Sequence, residues 1–138
     1  MEQKDKELLL KDLCVRIPYG VKGIVEGGDV VTTPLKWYAE HSLELSIKYM
    51  VVKNGWKPYL FPLSSMTDEQ YDNFIIVSGW DGDYEDIKRG LFSCIGCIGY
   101  IGIDYIYDTI DWFNKNHFDY KGLIEKGLAL DATNENIY

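Results

Sequence analysis

Apolar and polar positions change their spacing several times along the chain, and each spacing predicts an element. Over residues 5–16, Leu8, Leu9, Leu13 and Val15 fall near one face at helical spacing, with Glu7 four residues before Lys11. A helix is expected there. Pro18 should close it, because the residue before a proline avoids the α region. Gly20 permits a tight entry into a strand over 21–25. Gly27, Gly28 and Asp29 form a turn signal ahead of Val30 and Val31, so residues 21–32 read as a hairpin.

Thr33 and Pro34 could cap and open a helix, but a stronger pattern follows them. Leu43, Leu45, Ile47 and Tyr49 alternate with Glu44, Ser46 and Lys48, which is the period of a half-buried strand over 42–52. Asn54 and Gly55 mark a turn. Pro58 and Pro62 keep the next segment extended, since neither can donate a ladder hydrogen bond. Ser65 or Thr67 can then cap a helix, and Thr67 with Gln70 makes a capping box. That helix should reach about residue 77 and stop before Gly79.

Residues 80–84 form a polar turn, and 84–89 a short helix. Alternation through Ile95, Cys97, Gly99, Ile101, Ile103 and Tyr105 predicts a strand over 100–107. Asp108 would cap a helix over 109–115, and a further helix over 120–126 would end at Gly127. Ile110, Phe113, Phe118, Leu123 and Leu128 would line the apolar face of these two helices. The polar tail, 131–138, is expected to fray. Together these elements predict an α+β fold, a small mostly antiparallel sheet with about four short helices packed on it. Neither repeat nor linker divides the 138 residues, so one domain over 1–138 is expected.

Charge narrows the partners. The net charge of -8 sets up a field that repels phosphate backbones and anionic bilayers, which disfavours generic nucleic-acid binding and membrane association. The acidic residues are spread along the chain rather than collected in a tail. The charged start MEQKDKELLLKD is no secretory signal, and the weakly polar stretch 91–103 is too short to span a bilayer. Three cysteines, an odd number with two close together, fit reduced thiols in the cytoplasm better than a secreted disulfide framework.

Few residues suggest chemistry. Cys94 and Cys97 could hold two corners of a zinc site, completed by Cys14, His41 or His117. No second close-spaced ligand pair accompanies them, and buried reduced cysteines are the competing reading; no cofactor is assigned. Residues 81–86 begin like a calcium loop, but Asp86 and Phe92 stand where glycine and glutamate are required. His117 and Asp119 form a compact His–carboxylate group without a nucleophile beside it. A corner between two helices explains them as well. Gly96, Gly99 and Gly102 do not have the spacing of a phosphate-binding loop. An aromatic share of 14% suits cores and binding surfaces alike. Trp37, Trp56 and Trp80 lie in or near expected loops, where an exposed tryptophan would anchor a partner. Packing is the alternative for each, and Trp112, at helical spacing among apolar residues, reads as core.

Three blocks share a further property: LLLKDLCVRIPYGV near the start, KPYLFPLSSMT in the middle and IDWFNKNHFDYKGLIEKGLAL near the end. In order and spacing they resemble a group of small uncharacterised proteins of Bacteroidota genomes, prophages and other mobile elements. The blocks cover about a third of the chain. The resemblance implies a genomic setting and no activity; residues 26–47 and the region of Cys94 and Cys97 fall outside it. Three functional readings follow. The first is an accessory protein acting through contacts with an unidentified protein partner. The second is a small metal-binding or thiol-dependent enzyme using Cys94, Cys97 and His117. The third is an acidic anti-defence protein that mimics nucleic acid.

Overall fold

Residues 2–33, 51, 55–89 and 103–138 are described by a computed structural model of the chain. They gather into two units, Met1–Leu60 with Leu123–Tyr138, and Phe61–Gly122. Each unit has its own hydrophobic core.

In the first unit, helix α1 (Gln3–Arg16) buries Leu9, Asp12, Leu13 and Arg16. That spacing of three and four residues keeps all four on one face. Val15, grouped by spacing with the apolar face, is 42% exposed. A charged pair completes the stripe instead. Arg16 Nε donates to Asp12 Oδ2 at 2.6 Å, with both side chains fully buried. Pro18 sits in a 3-10 turn, Ile17–Tyr19, and Gly20 leaves it in the left-handed region, as its position after the helix required.

Strands β1 (Gly23–Val25) and β2 (Val31–Thr32) form the expected hairpin. Strand β1 also pairs antiparallel with β3 (Trp56–Pro62), with Gly23 opposite Pro58. Trp56 is 1% exposed, and its indole N–H donates to Thr32 Oγ1 at 3.3 Å. Its ring lies across Gly23. A Cβ on Gly23 would stand 2.2 Å from the Lys57 carbonyl oxygen and 2.4 Å from the indole. Glycine is there to let the ring close the core, not to make a turn.

Two prolines inside a strand with partners are tolerated because successive residues direct their N–H groups to opposite edges. Tyr59 N donates to Lys22 O at 2.8 Å, so Pro58 beside it turns its nitrogen away from β1. Along the other edge, β5 (Leu130–Asp131) pairs parallel from Tyr59 onward, after Pro58 has passed. The C-terminal tail, expected to fray for its polarity, is tied down at its end. The Tyr138 hydroxyl accepts from Lys22 N and donates to Tyr59 O, both at 2.8 Å. It stands between two backbone groups that would otherwise complete the β1–β3 ladder. Lys22 Nζ donates to Ile137 O at 3.0 Å beside it.

In the second unit, α2 (Asp68–Ser78) begins at the predicted capping box. Thr67 Oγ1 accepts from Gln70 N, and the Gln70 side chain accepts from Thr67 N. Gly79 ends it in the left-handed region. After α3 (Tyr84–Lys88) comes a 3-10 turn, Ile103–Tyr105, leading into α4 (Ile106–Lys115). Phe74 centres the core, with Trp112 and Phe113 at ring-centroid distances of 5.5 and 5.3 Å. Trp112 stacks on Phe118, and Phe113 on Tyr120. Many of the described aromatic side chains therefore serve to fill this core. Strand β4 (Phe118–Asp119) pairs parallel with the last two residues of β3.

Among the described residues the fold is α+β, with four α-helices and five strands. The sheet is mixed, since β1 pairs antiparallel with β2 and β3 while β4 and β5 run parallel to β3. Alternation gives a strand's faces but not its direction, and the long connections from β3 to β4 and β5 permit parallel pairing. Two expectations are overturned. Residues 103–107 belong to a 3-10 turn and the first turn of α4, not to a strand. Residues 120–126 are turns rather than a helix. Gly122 and Gly127, both at positive φ, bracket only four residues, too few to repay the cost of nucleating a helix. The strand expected over 42–52 lies outside the described residues except for Val51, as do residues 100–102.

Candidate functional site

Of the residues singled out by sequence, Cys14, Trp56, Trp80, His117 and Asp119 are described. Trp56 and Trp80 are 1% and 6% exposed and belong to the cores of the first and second units, so neither serves as a surface anchor. The Trp80 indole donates to Asp83 O at 3.4 Å within its own turn. Trp37, His41, Cys94 and Cys97 lie outside the described residues. Cys14 is exposed on α1. Among the described residues no group of three or more His, Cys, Asp or Glu side chains is placed to hold a metal ion. No helix among them is long and apolar enough to cross a membrane.

His117 and Asp119 form a corner, though between a helix and a strand rather than two helices. His117 takes φ 61°, a left-handed conformation that histidine adopts more readily than bulkier residues. It ends α4, with its N–H donating to Asn114 O at 3.2 Å. Its carbonyl then accepts from Phe61 N at 2.8 Å, which starts the β3–β4 pairing. Asp119 follows as a buried residue of β4. Both residues thus sit where the backbone turns from α4 into β4.

What sequence reasoning missed is a group of exposed apolar side chains on the second unit. Ile76 is 80% exposed and Tyr107 85%, with Ile75 at 37% and Tyr105 at 47%. Soluble domains scatter single apolar residues over their surfaces, so exposure alone means little. The fold brings together the two segments that carry these four. The Tyr105 ring packs over Gly79, where an added Cβ would meet it at 3.5 Å. Gly79 in turn donates its N–H to Ile75 O at 2.9 Å. The end of α2 thus lies against the start of α4, with Ile75 and Ile76 in the last turn of one and Tyr107 in the first turn of the other.

Helical geometry explains which side chains face out. On α4, Thr109, Trp112, Phe113 and Asn114 are buried, leaving Tyr107, Asp108, Asp111 and Lys115 outward. On α2, Phe74 and Ser78 are buried, and Ile76 shares the outward face with Asp72 and Asn73. Ile76 thus stands out beside Asp72, and Tyr107 beside Asp108 and Asp111. A helical frame starting at Ile106 would have revealed Tyr107, because Asp111 one turn on is polar while residues 109, 112 and 113 point inward. Reading the segment as a strand hid it.

A second surface feature lies in the first unit. Ile24–Gly28, Gly55, Lys57, Tyr59 and Leu130 line an open groove of about 290 Å³. Val25, Val30 and Val31 of the adjoining hairpin are exposed at 38%, 66% and 39%. Its charged lining residues, Glu26 and Lys57, are of opposite sign. Comparison with protein-family models, with curated proteins and with solved structures finds no match.

Proposed function

We propose that the chain is an accessory protein of phage or mobile-element type that works inside the cell by contacting another protein. The observation that carries this reading is the exposure of Ile76 and Tyr107 beside Ile75 and Tyr105 at the α2–α4 junction. Tyrosine supplies a large contact area with a polar handle and recurs at the centres of protein interfaces, where neighbouring apolar groups exclude water. Single exposed apolar residues are ordinary on a soluble domain, whereas four on two adjoining segments favour an interface. The three sequence blocks support the genomic setting. An odd number of cysteines supports a reducing compartment.

The test is site-specific photocrosslinking in the native host. A benzophenone amino acid at Tyr107 should give a discrete crosslinked product, and the same group at Glu7 on α1 should not. Loss of the product on Ile76→Ser, in a protein that melts normally, would strengthen the assignment. An identical product from both positions, or none from Tyr107, would refute it.

A further inference from the structure

The net charge is divided unequally between the two units. Phe61–Gly122 contains eleven acidic and four basic residues, a net charge of -7 out of the chain's -8. The other unit is nearly balanced, with eleven acidic and ten basic residues. Spread along the sequence, the acidic residues give no sign of this. Contiguity of the second unit collects them.

The imbalance holds around the exposed junction. The charged residues within four positions of Ile75, Ile76, Tyr105 and Tyr107 are Asp72, Asp104, Asp108 and Asp111. All four are exposed, and all are acidic. Lys115, the basic residue on the outward face of α4, lies two turns beyond Tyr107. A partner that covers Tyr107 and Ile76 must therefore come close to several carboxylates. A neutral or acidic partner would leave them desolvated or repelled, whereas a cationic one would be steered in and paired.

We infer that this junction docks a cationic segment of a partner protein, one that presents lysine or arginine around apolar side chains. The apolar groups would contact Ile76 and Tyr107, while the basic groups would meet Asp72, Asp104, Asp108 and Asp111. The inference rests on the protein-contact reading above and adds the chemistry of the partner. Duplex DNA fails both requirements, being anionic and lacking apolar groups at its surface.

The experiment uses the full chain and a synthetic amphipathic helix of lysine and leucine, with a glutamate–leucine helix and duplex DNA as comparisons. Binding is followed by fluorescence anisotropy, and the contact by amide shifts in NMR spectra. The lysine helix should bind, with its largest shifts at Ile75, Ile76, Tyr105 and Tyr107, and should weaken as salt rises. Ile76→Ser with Tyr107→Ser should weaken binding at least tenfold, as should Asp108→Lys with Asp111→Lys. Both pairs lie on exposed faces, and unchanged melting would show that the fold is intact. Equal binding of the glutamate helix or of DNA would overturn the inference, as would shifts centred elsewhere or affinity indifferent to both pairs. A crosslinked partner from Tyr107 whose contact surface is neutral or acidic would overturn it too, while leaving the protein-contact reading standing.

Discussion

Tyr138→Phe removes one oxygen and leaves the ring, which keeps its position 5.8 Å from Lys22 Nζ. Two hydrogen bonds go with that oxygen, one accepted from Lys22 N and one donated to Tyr59 O. Each ordinary intramolecular hydrogen bond contributes about 0.5–1.5 kcal/mol net, so an upper range of about 1–3 kcal/mol follows. Tyr138 is 39% exposed, so water can reach part of the vacated position, and a loss of about 1–2 kcal/mol is expected. The pH dependence supplies a second check. Burial pushes the Tyr138 phenol up from 10.0 to about 12, opposed by the hydrogen bond from Lys22 and by the Arg16 charge. A raised value means that the folded state favours the neutral phenol. Its contribution is therefore complete below pH 10 and lost as pH rises from 10 to about 12. Urea unfolding of the two proteins, followed by circular dichroism, measures the difference. Tyr71, also raised by burial and by Asp83, titrates in both and cancels. A stability difference below about 0.3 kcal/mol at pH 7 would refute the bridging role. So would a difference that stays constant from pH 9 to 12.

Asp12→Ala should cost about 3–5 kcal/mol in urea unfolding, because it removes a carboxylate paired with a fully buried guanidinium; replacing both residues with leucine should recover much of that loss. Gly23→Ala should destabilise by about 1–3 kcal/mol or more, since the new methyl meets Lys57 O and the Trp56 ring, and Trp56→Phe should relieve part of it. Thr67→Ala should cost about 1 kcal/mol in a thermal melt by breaking the capping box, with Thr67→Ser close to wild type. Tyr107→Ser should leave stability within about 0.5 kcal/mol, whatever it does to binding.

Local chemistry was legible in the sequence. The capping box at Thr67 and Gln70, the stop at Pro18 and the Gly27–Gly28 turn each depend on residues a few positions apart, and each is present. What could not be read depends on distant partners. Pro58 and Pro62 marked the segment as extended but unable to donate at two positions, and only the edge assignment of Tyr59 and Phe61 shows why that is harmless. Asp12 and Arg16 had helical spacing for an ion pair, but their burial comes from the core that α1 covers. The strand expected over 100–107 extended an alternation beyond Ile103, where burial of Thr109, Trp112 and Phe113 sets a helical period instead. That one error of period concealed the exposed tyrosines.

The parallel pairing of Phe61 with Phe118 and Pro62 with Asp119 bears on how the chain folds. It brings together the two ends of the contiguous unit, leaving that unit as a closed insertion in a discontinuous one. For the first unit, residues on either side of the insertion must meet, and a flexible connecting segment makes that meeting entropically expensive. Once the insertion folds, its entry and exit are already side by side, and the effective loop becomes short. The expected order of events is therefore inside out. In pulsed hydrogen exchange during refolding, amides of α2 and α4 should gain protection before those of β1 and β5. Simultaneous protection would mean that the closure of Phe61 against Phe118 gives the outer unit no head start.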